Sequence, residues 1–175
     1  MSRQNVSLTK VFTAPKAAGA FQSGWLAAGL PGAGVAPPLY TAGAGYTADK
    51  TTAGSALYTN ASVENRIAQL FASATVQGTL YLFDRLWSCS GMGFAAGTYT
   101  VTTPGSLPAR ITDNGKGCRL FVESFVASGA ATGTLTANYL DSNTGAAQAG
   151  VLNPVVSAPV AGQMQSVPLA TGSEG

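Results

Sequence analysis

The 175-residue sequence predicts an all-β protein, an antiparallel β-sandwich or jelly roll with a long extended N-terminal arm. Short runs of β-branched and aromatic residues recur at intervals of roughly 10 to 20 residues between Gly/Pro/Asn turns, which is sandwich spacing rather than βαβ spacing. Proline and glycine crowd the first 60 residues too densely for a helix or a central strand. The division that follows is an extended arm over residues 1–60 and a jelly-roll-like β-domain over 61–175.

Within the arm, Pro15, Pro31, Pro37 and Pro38 alternate with glycines 19, 24, 29, 32, 34, 43 and 45. The same stretch carries Phe12, Phe21, Trp25, Leu26, Leu30, Leu39, Tyr40 and Tyr46, a content that disordered linkers lack. It reads as an arm lying across a surface, its own or a neighbour's, pinned by aromatic side chains such as Phe21, Trp25 and Tyr40. The alternative is a partly ordered leader or long surface loop.

Residues 63–87 form the strongest structural segment. Ile67, Leu70, Phe71 and Ala74 recur at helical spacing, but a hairpin turning at Gln77-Gly78 accounts for both halves, with residues 79–87 as a strand. Pairing residue 76 with 79 sets Ala74 opposite Tyr81 and Ala72 opposite Phe83, small against large. Residues 98–103 suit another strand. Residues 113–117, Asp-Asn-Gly-Lys-Gly, form a turn. Residues 118–126 follow as a strand with Phe121 and Phe125 on one face and Leu120, Val122 and Val126 on the other, apolar on both sides as in a covered sandwich strand. After a turn at 129–133, residues 134–140 alternate, with Leu135, Ala137 and Tyr139 inward. Residues 141–145 turn again, and short strands are expected at 155–160 and 164–169.

Composition narrows the chemistry. Only 9% of the residues are charged, against about a quarter in an ordinary soluble domain. The 46% hydrophobic fraction is ordinary, but much of it is alanine, so a modest core helped by contacts between chains is implied. The net charge of +2 is uneven: +3 over residues 1–60, −2 over 129–175 and +1 between them. No basic stripe fits a nucleic acid, no apolar run is long enough to span a membrane, and no signal-peptide pattern opens the chain, so synthesis in the cytoplasm is expected.

The sequence contains no histidine, which removes the Ser-His-Asp triad, the Cys-His pair and imidazole metal ligands. Cys89 and Cys118 cannot close a four-sulfur site; they read as two buried thiols in preference to one disulfide. The glycines at 29–34 lack the helix that a nucleotide loop precedes. Asp84, Asp113, Glu123 and Asp141 could supply a glycosidase pair, but Asp113 and Asp141 start turns, and Asp84 and Glu123 are expected to pair with arginines. A calcium site at 141–143 lacks further acids. The expectation is a non-enzymatic protein without cofactor or metal.

Asp84-Arg85 is the singular feature, two adjacent charges on opposite faces of Leu82-Phe83-Asp84-Arg85-Leu86-Trp87. Unpartnered, such charges cost several kcal/mol to bury. One salt bridge within the fold and one to a neighbour would resolve this; the alternative is a strand end emerging into solvent. Phe21, Trp25, Tyr40, Asp84, Arg85 and Trp87 are therefore the candidate interface residues.

Gly78-Thr79-Leu80-Tyr81-Leu82-Phe83-Asp84-Arg85-Leu86-Trp87 is followed by Ser90-Gly91-Met92, Leu107-Pro108-Ala109-Arg110, the 113–117 turn, Ala137-Asn138-Tyr139 and Val167-Pro168-Leu169-Ala170-Thr171-Gly172. Over residues 60–172 the chain resembles a family of tailed-bacteriophage virion proteins, small capsid-associated structural proteins. The resemblance implies a virion component that decorates or cements the capsid, as a small oligomer with a trimer favoured, binding between major capsid subunits at the capsid surface. Asp84, Arg85, Leu86 and Trp87 match the family's motif and would serve fold and assembly. Relatives usually continue beyond the position of Gly172 into a further β-rich segment, and Cys89 and Cys118 lie outside the pattern. A tail or baseplate component and a glycan-binding module using Trp25 and Trp87 are the alternatives. A major capsid shell protein is disfavoured by length.

Overall fold

The computed structural model describes residues 8–12, 20–42, 47–49, 51–55, 77–93, 99–101, 108–109, 111, 115–127, 129, 133–141, 143–152 and 159–169. Its regular structure is all-β, in small antiparallel sheets. The strands are β1 (Thr9–Val11), β2 (Phe21–Gln22), β3 (Ala28–Leu30), β4 (Phe121–Glu123), β5 (Leu135–Leu140), β6 (Ala147–Leu152) and β7 (Gln163–Ser166), with one 3-10 turn at Tyr40–Ala42. β1 pairs with β3, β5 pairs with β6, and β7 runs between β2 and β4.

The three-stranded sheet gathers segments from both ends and the middle of the chain. Phe21 pairs with Met164 on one side of β7, and Glu123 pairs with the same Met164 on the other. Gly162, at φ 80°, opens β7. Its N–H donates to Ser124 O at 2.6 Å, and its carbonyl accepts from Ser23 N at 2.8 Å. A positive φ suits glycine, and a Cβ here would also press on the Gln22 amide. At the far end Val167 N donates to Leu120 O at 2.9 Å, so the ladder extends beyond β4 at both ends.

The β5–β6 hairpin shows why alternation specifies a strand. Leu135, Ala137 and Tyr139 are half-buried, while Thr136, Asn138 and Leu140 are exposed, as the sequence pattern predicts. Its turn is closed by Asp141, which is 7% exposed. Asp141 Oδ1 accepts from Asn143 N at 2.7 Å and Thr144 N at 3.2 Å. Asp141 O accepts from Gly145 N at 2.8 Å, with Gly145 at φ 68°. The hairpin meets the rest of the fold at Gly150, where a Cβ would stand 2.5 Å from Pro168 O and 3.2 Å from Val167 Cγ1. Val167 is 2% exposed; it and Ala48 are the buried hydrophobic side chains among the described residues, prolines aside.

Several expectations change. Residues 79–87 carry no strand: they lie against the three-stranded sheet through side chains, because Phe21 and Phe121 offer aromatic faces there. The other half of that expected hairpin, up to residue 76, lies outside the described residues. Residues 99–101 are likewise not a strand; Tyr99 is held edge-on by Tyr40. The 118–126 strand shortens to β4, and Val126 beyond it is 77% exposed, so its outer side is uncovered among the described residues. Residues 155–158 of the expected 155–160 strand fall outside the description, and 159–160 are not strand. β6 was not anticipated, whereas β7 covers 164–166 of the strand expected at 164–169, and 167–169 are not strand. Gly115 and Gly117, both at φ 82°, bear out the turn that ends at 117.

Gly150→Ala is expected to lower the unfolding free energy by about 1–3 kcal/mol, since the added methyl meets backbone rather than a movable side chain. Urea titration would read this as a lower midpoint at unchanged slope. An unaltered midpoint would show that the hairpin does not seat on residues 167–169.

Candidate functional site

Residues 81, 83 and 85 share one side of an extended segment, and all three reach the same sheet face. The Phe21 and Phe121 rings stack at 5.8 Å with 4° between planes, diagonally across β7. Tyr81 approaches Phe21 at 5.3 Å, and Phe83 approaches Phe121 at 5.1 Å and 58°. These are offset and tilted geometries that aromatic quadrupoles favour. The cluster is half open, with Tyr81 59% and Phe83 47% exposed.

Arg85 ends this row. Its Nη2 forms a salt bridge with Glu123 Oε2 on β4, the arginine partner expected for Glu123. The Glu123 side chain is 8% exposed and that of Arg85 21%. The guanidinium carbon also lies 4.7 Å from the centroid of the Trp25 ring, within cation–π range. Trp25 is fixed from several sides. Its Nε1 donates to Val35 O at 3.2 Å, its backbone N donates to Ser23 Oγ at 3.0 Å, and its carbonyl accepts from Gly34 N at 2.7 Å. Gly34 lies so close to the indole that a Cβ there would overlap it.

Tyr40 sits elsewhere. Its ring meets Tyr99 edge-on at 5.4 Å, and its backbone N donates to Ser90 O at 2.8 Å. Ser90 in turn donates through N to Pro38 O at 2.8 Å and through Oγ to Pro37 O at 2.5 Å, fastening residues 37–40 to 90. Phe21, Trp25 and Arg85 are thus brought together, and Tyr40 forms a separate contact. Asp84 is exposed beside Leu80 and Leu82, each 59% exposed, on the side opposite the aromatic row. Trp87 is half-buried, with Nε1 buried and unpartnered.

One constellation was not foreseen. Lys10 Nζ donates to the carbonyl oxygens of Ala27 at 3.3 Å, Pro31 at 2.9 Å and Gly32 at 3.1 Å, tying β1 to the chain around β3. Burial pushes its ammonium below the usual lysine range. Carbonyl cages have no side-chain signature, so the sequence offered no signal beyond the lysine itself.

The remaining titratable groups act locally. Asp49 is held below the usual carboxylate range by hydrogen bonds from Thr51 and Thr52 in its own turn. Burial raises the Cys89 thiol, and Cys89 and Cys118 are not joined in a disulfide. Among the described residues, no three of His, Cys, Asp and Glu cluster as a metal site, and no helix is long and apolar enough to cross a membrane. Comparison with protein families, curated proteins and solved structures finds no match to this chain.

Arg85→Ala leaves the Glu123 carboxylate enclosed without its cation. Its cost is expected near the lower end of the about 3–5 kcal/mol typical of a broken buried pair, given the partial exposure of Arg85. The paired change Arg85→Met with Glu123→Met should recover most of that loss in urea denaturation. Equal stability of Arg85→Ala and the native chain would rule out the ion pair as a structural tie.

Proposed function

We propose that this chain is a non-enzymatic structural component of a phage virion, decorating or cementing the capsid as a small oligomer between major capsid subunits. In this reading residues 1–60 act as an extended arm, and the small sheets belong to a sandwich or jelly-roll domain. The observation that carries it is the outward face of residues 80–83. Leu80 and Leu82 are each 59% exposed on the side away from the aromatic row, and Tyr81 is 59% exposed within that row, whereas the described residues bury little apolar surface of their own. Contiguous apolar surface of this kind marks interaction sites. The family resemblance of the 78–87 element supplies the class of partner.

A glycan platform would need open indole faces, and Trp25 is already engaged by Arg85 and Gly34. That favours assembly over sugar binding. The test is the amount and position of the protein in purified particles. Near one copy per major capsid subunit, clustered about three-fold axes, is expected; a handful of copies at the tail would overturn the capsid assignment.

Leu80→Asp with Leu82→Asp should leave the isolated fold intact, because both side chains are exposed. Each buried leucine contributes up to about 1.5–3 kcal/mol, so occupancy on particles should fall at least tenfold. Native occupancy by this variant would remove the 80–83 face from the interface.

A further inference from the structure

Among the described residues, the β5–β6 hairpin leaves both outer edges open. Asp141 N donates to Ala146 O at 2.9 Å, and antiparallel ladders alternate bonded and non-bonded pairs from such a point. With the observed register, the bonded pairs are Tyr139 with Gln148, Ala137 with Gly150 and Leu135 with Leu152. Thr136, Asn138 and Leu140 on β5, and Ala147, Ala149 and Val151 on β6, therefore direct their N–H and C=O groups away from the hairpin. All six are exposed, and none has a backbone partner beyond the hairpin among the described residues.

Edges of this length are usually blunted by lysine, proline or a bulge. Here β5 and β6 contain no charged residue and no proline, and the irregularity at Gly145 lies in the turn. A two-stranded hairpin is marginal by itself and gains from further strands.

We propose that a second copy of this chain pairs at these edges, the β5 edge of one copy adding to the β6 edge of the next. Three features of the edges fit a like partner. They offer the same number of open positions, so pairing leaves none unmatched. Both are neutral, so identical copies meet without like-charge repulsion. The small side chains of Ala147, Ala149 and Val151 also face Thr136, Asn138 and Leu140 without crowding. This inference rests on the self-association within the proposed function and not on the virion location.

Residue-resolved amide exchange of the full chain across a dilution series tests it. In the associated state, amides 136, 138, 140, 147, 149 and 151 are expected to be protected alongside their hairpin-bonded neighbours; on dilution those six alone should lose protection. Ala149→Pro removes only an outward N–H, a position an edge strand tolerates. The variant should retain hairpin protection at 137 and 148 while its self-dissociation constant, measured by sedimentation, rises at least tenfold. Fast exchange at the six positions in the associated native chain would overturn the proposal, as would a native chain that stays monomeric. If a folded Ala149→Pro variant associates normally while Leu80→Asp/Leu82→Asp does not, edge pairing is refuted and the proposed function stands.

Discussion

Backbone pairing on both sides of β7 is the constraint on which the described structure depends. β2 and β7 are about as far apart in sequence as this chain allows, with Gln22 Nε2 donating to Ala161 O across 139 positions. Closing such a loop costs several kcal/mol of chain entropy, although the cost rises only logarithmically with length. The described side chains bury little that could offset it. The compensation is a strand with neither edge free, opened by a glycine that donates to β4's continuation and accepts from β2's. Val167, immediately beyond β7, then converts the backbone junction into a packing one, since its methyl group faces Gly150 and seats the hairpin.

Arg85 plays a related part on the sheet's face. The two-residue period of an extended chain sends Tyr81, Phe83 and Arg85 to one side and Leu80, Leu82 and Asp84 to the other. The inner row is satisfied by aromatic contact and by Glu123. A cation at the end of that row suits the place because it meets a carboxylate and an indole π-face together, two groups that would otherwise be enclosed without it. Trp25 belongs to the N-terminal segment and Glu123 to β4, so a single guanidinium joins regions that the backbone ladder joins elsewhere. The outer row follows from the same alternation.

Much of this was legible wherever the signal was local. Alternation in residues 134–140 gives β5 because each side chain there reports its own burial, and Asp141 reads as a turn residue because its carboxylate serves its own backbone. The expectation that an arginine would meet Glu123 rested on the cost of an enclosed charge, and Arg85 is that partner. β6 was missed because Ala, Gln, Ala and Gly have little intrinsic strand preference; pairing with β5 and the seat on Val167 define it. Residues 79–87 show the converse. Periodicity there correctly reports which side chains share a side, but it carries no information about whether the backbone finds a ladder. Trp25's partners, Gly34 and Val35 O, are a missing side chain and a carbonyl, neither of which a residue pattern distinguishes from an ordinary loop.

Several of the charged groups among the described residues have partners within the fold. Lys10 is enclosed by three carbonyls, Arg85 is matched to Glu123, and Asp49 and Asp141 are bound by the backbone of their own turns. These ionic groups stabilise local geometry and are not available to steer an approaching partner. The open hairpin edges and the leucines of the 80–83 face are neutral. Joining neutral surfaces avoids the desolvation of ions, which often cancels their attraction at an interface, and forgoes the faster encounter that complementary fields provide. Such a balance suits contacts that form once and persist. Among the described residues, then, Lys10, Arg85, Glu123, Asp49 and Asp141 tie the chain to itself, while Asp84, Lys116 and Arg119 are exposed and the hairpin edges offer neutral backbone groups.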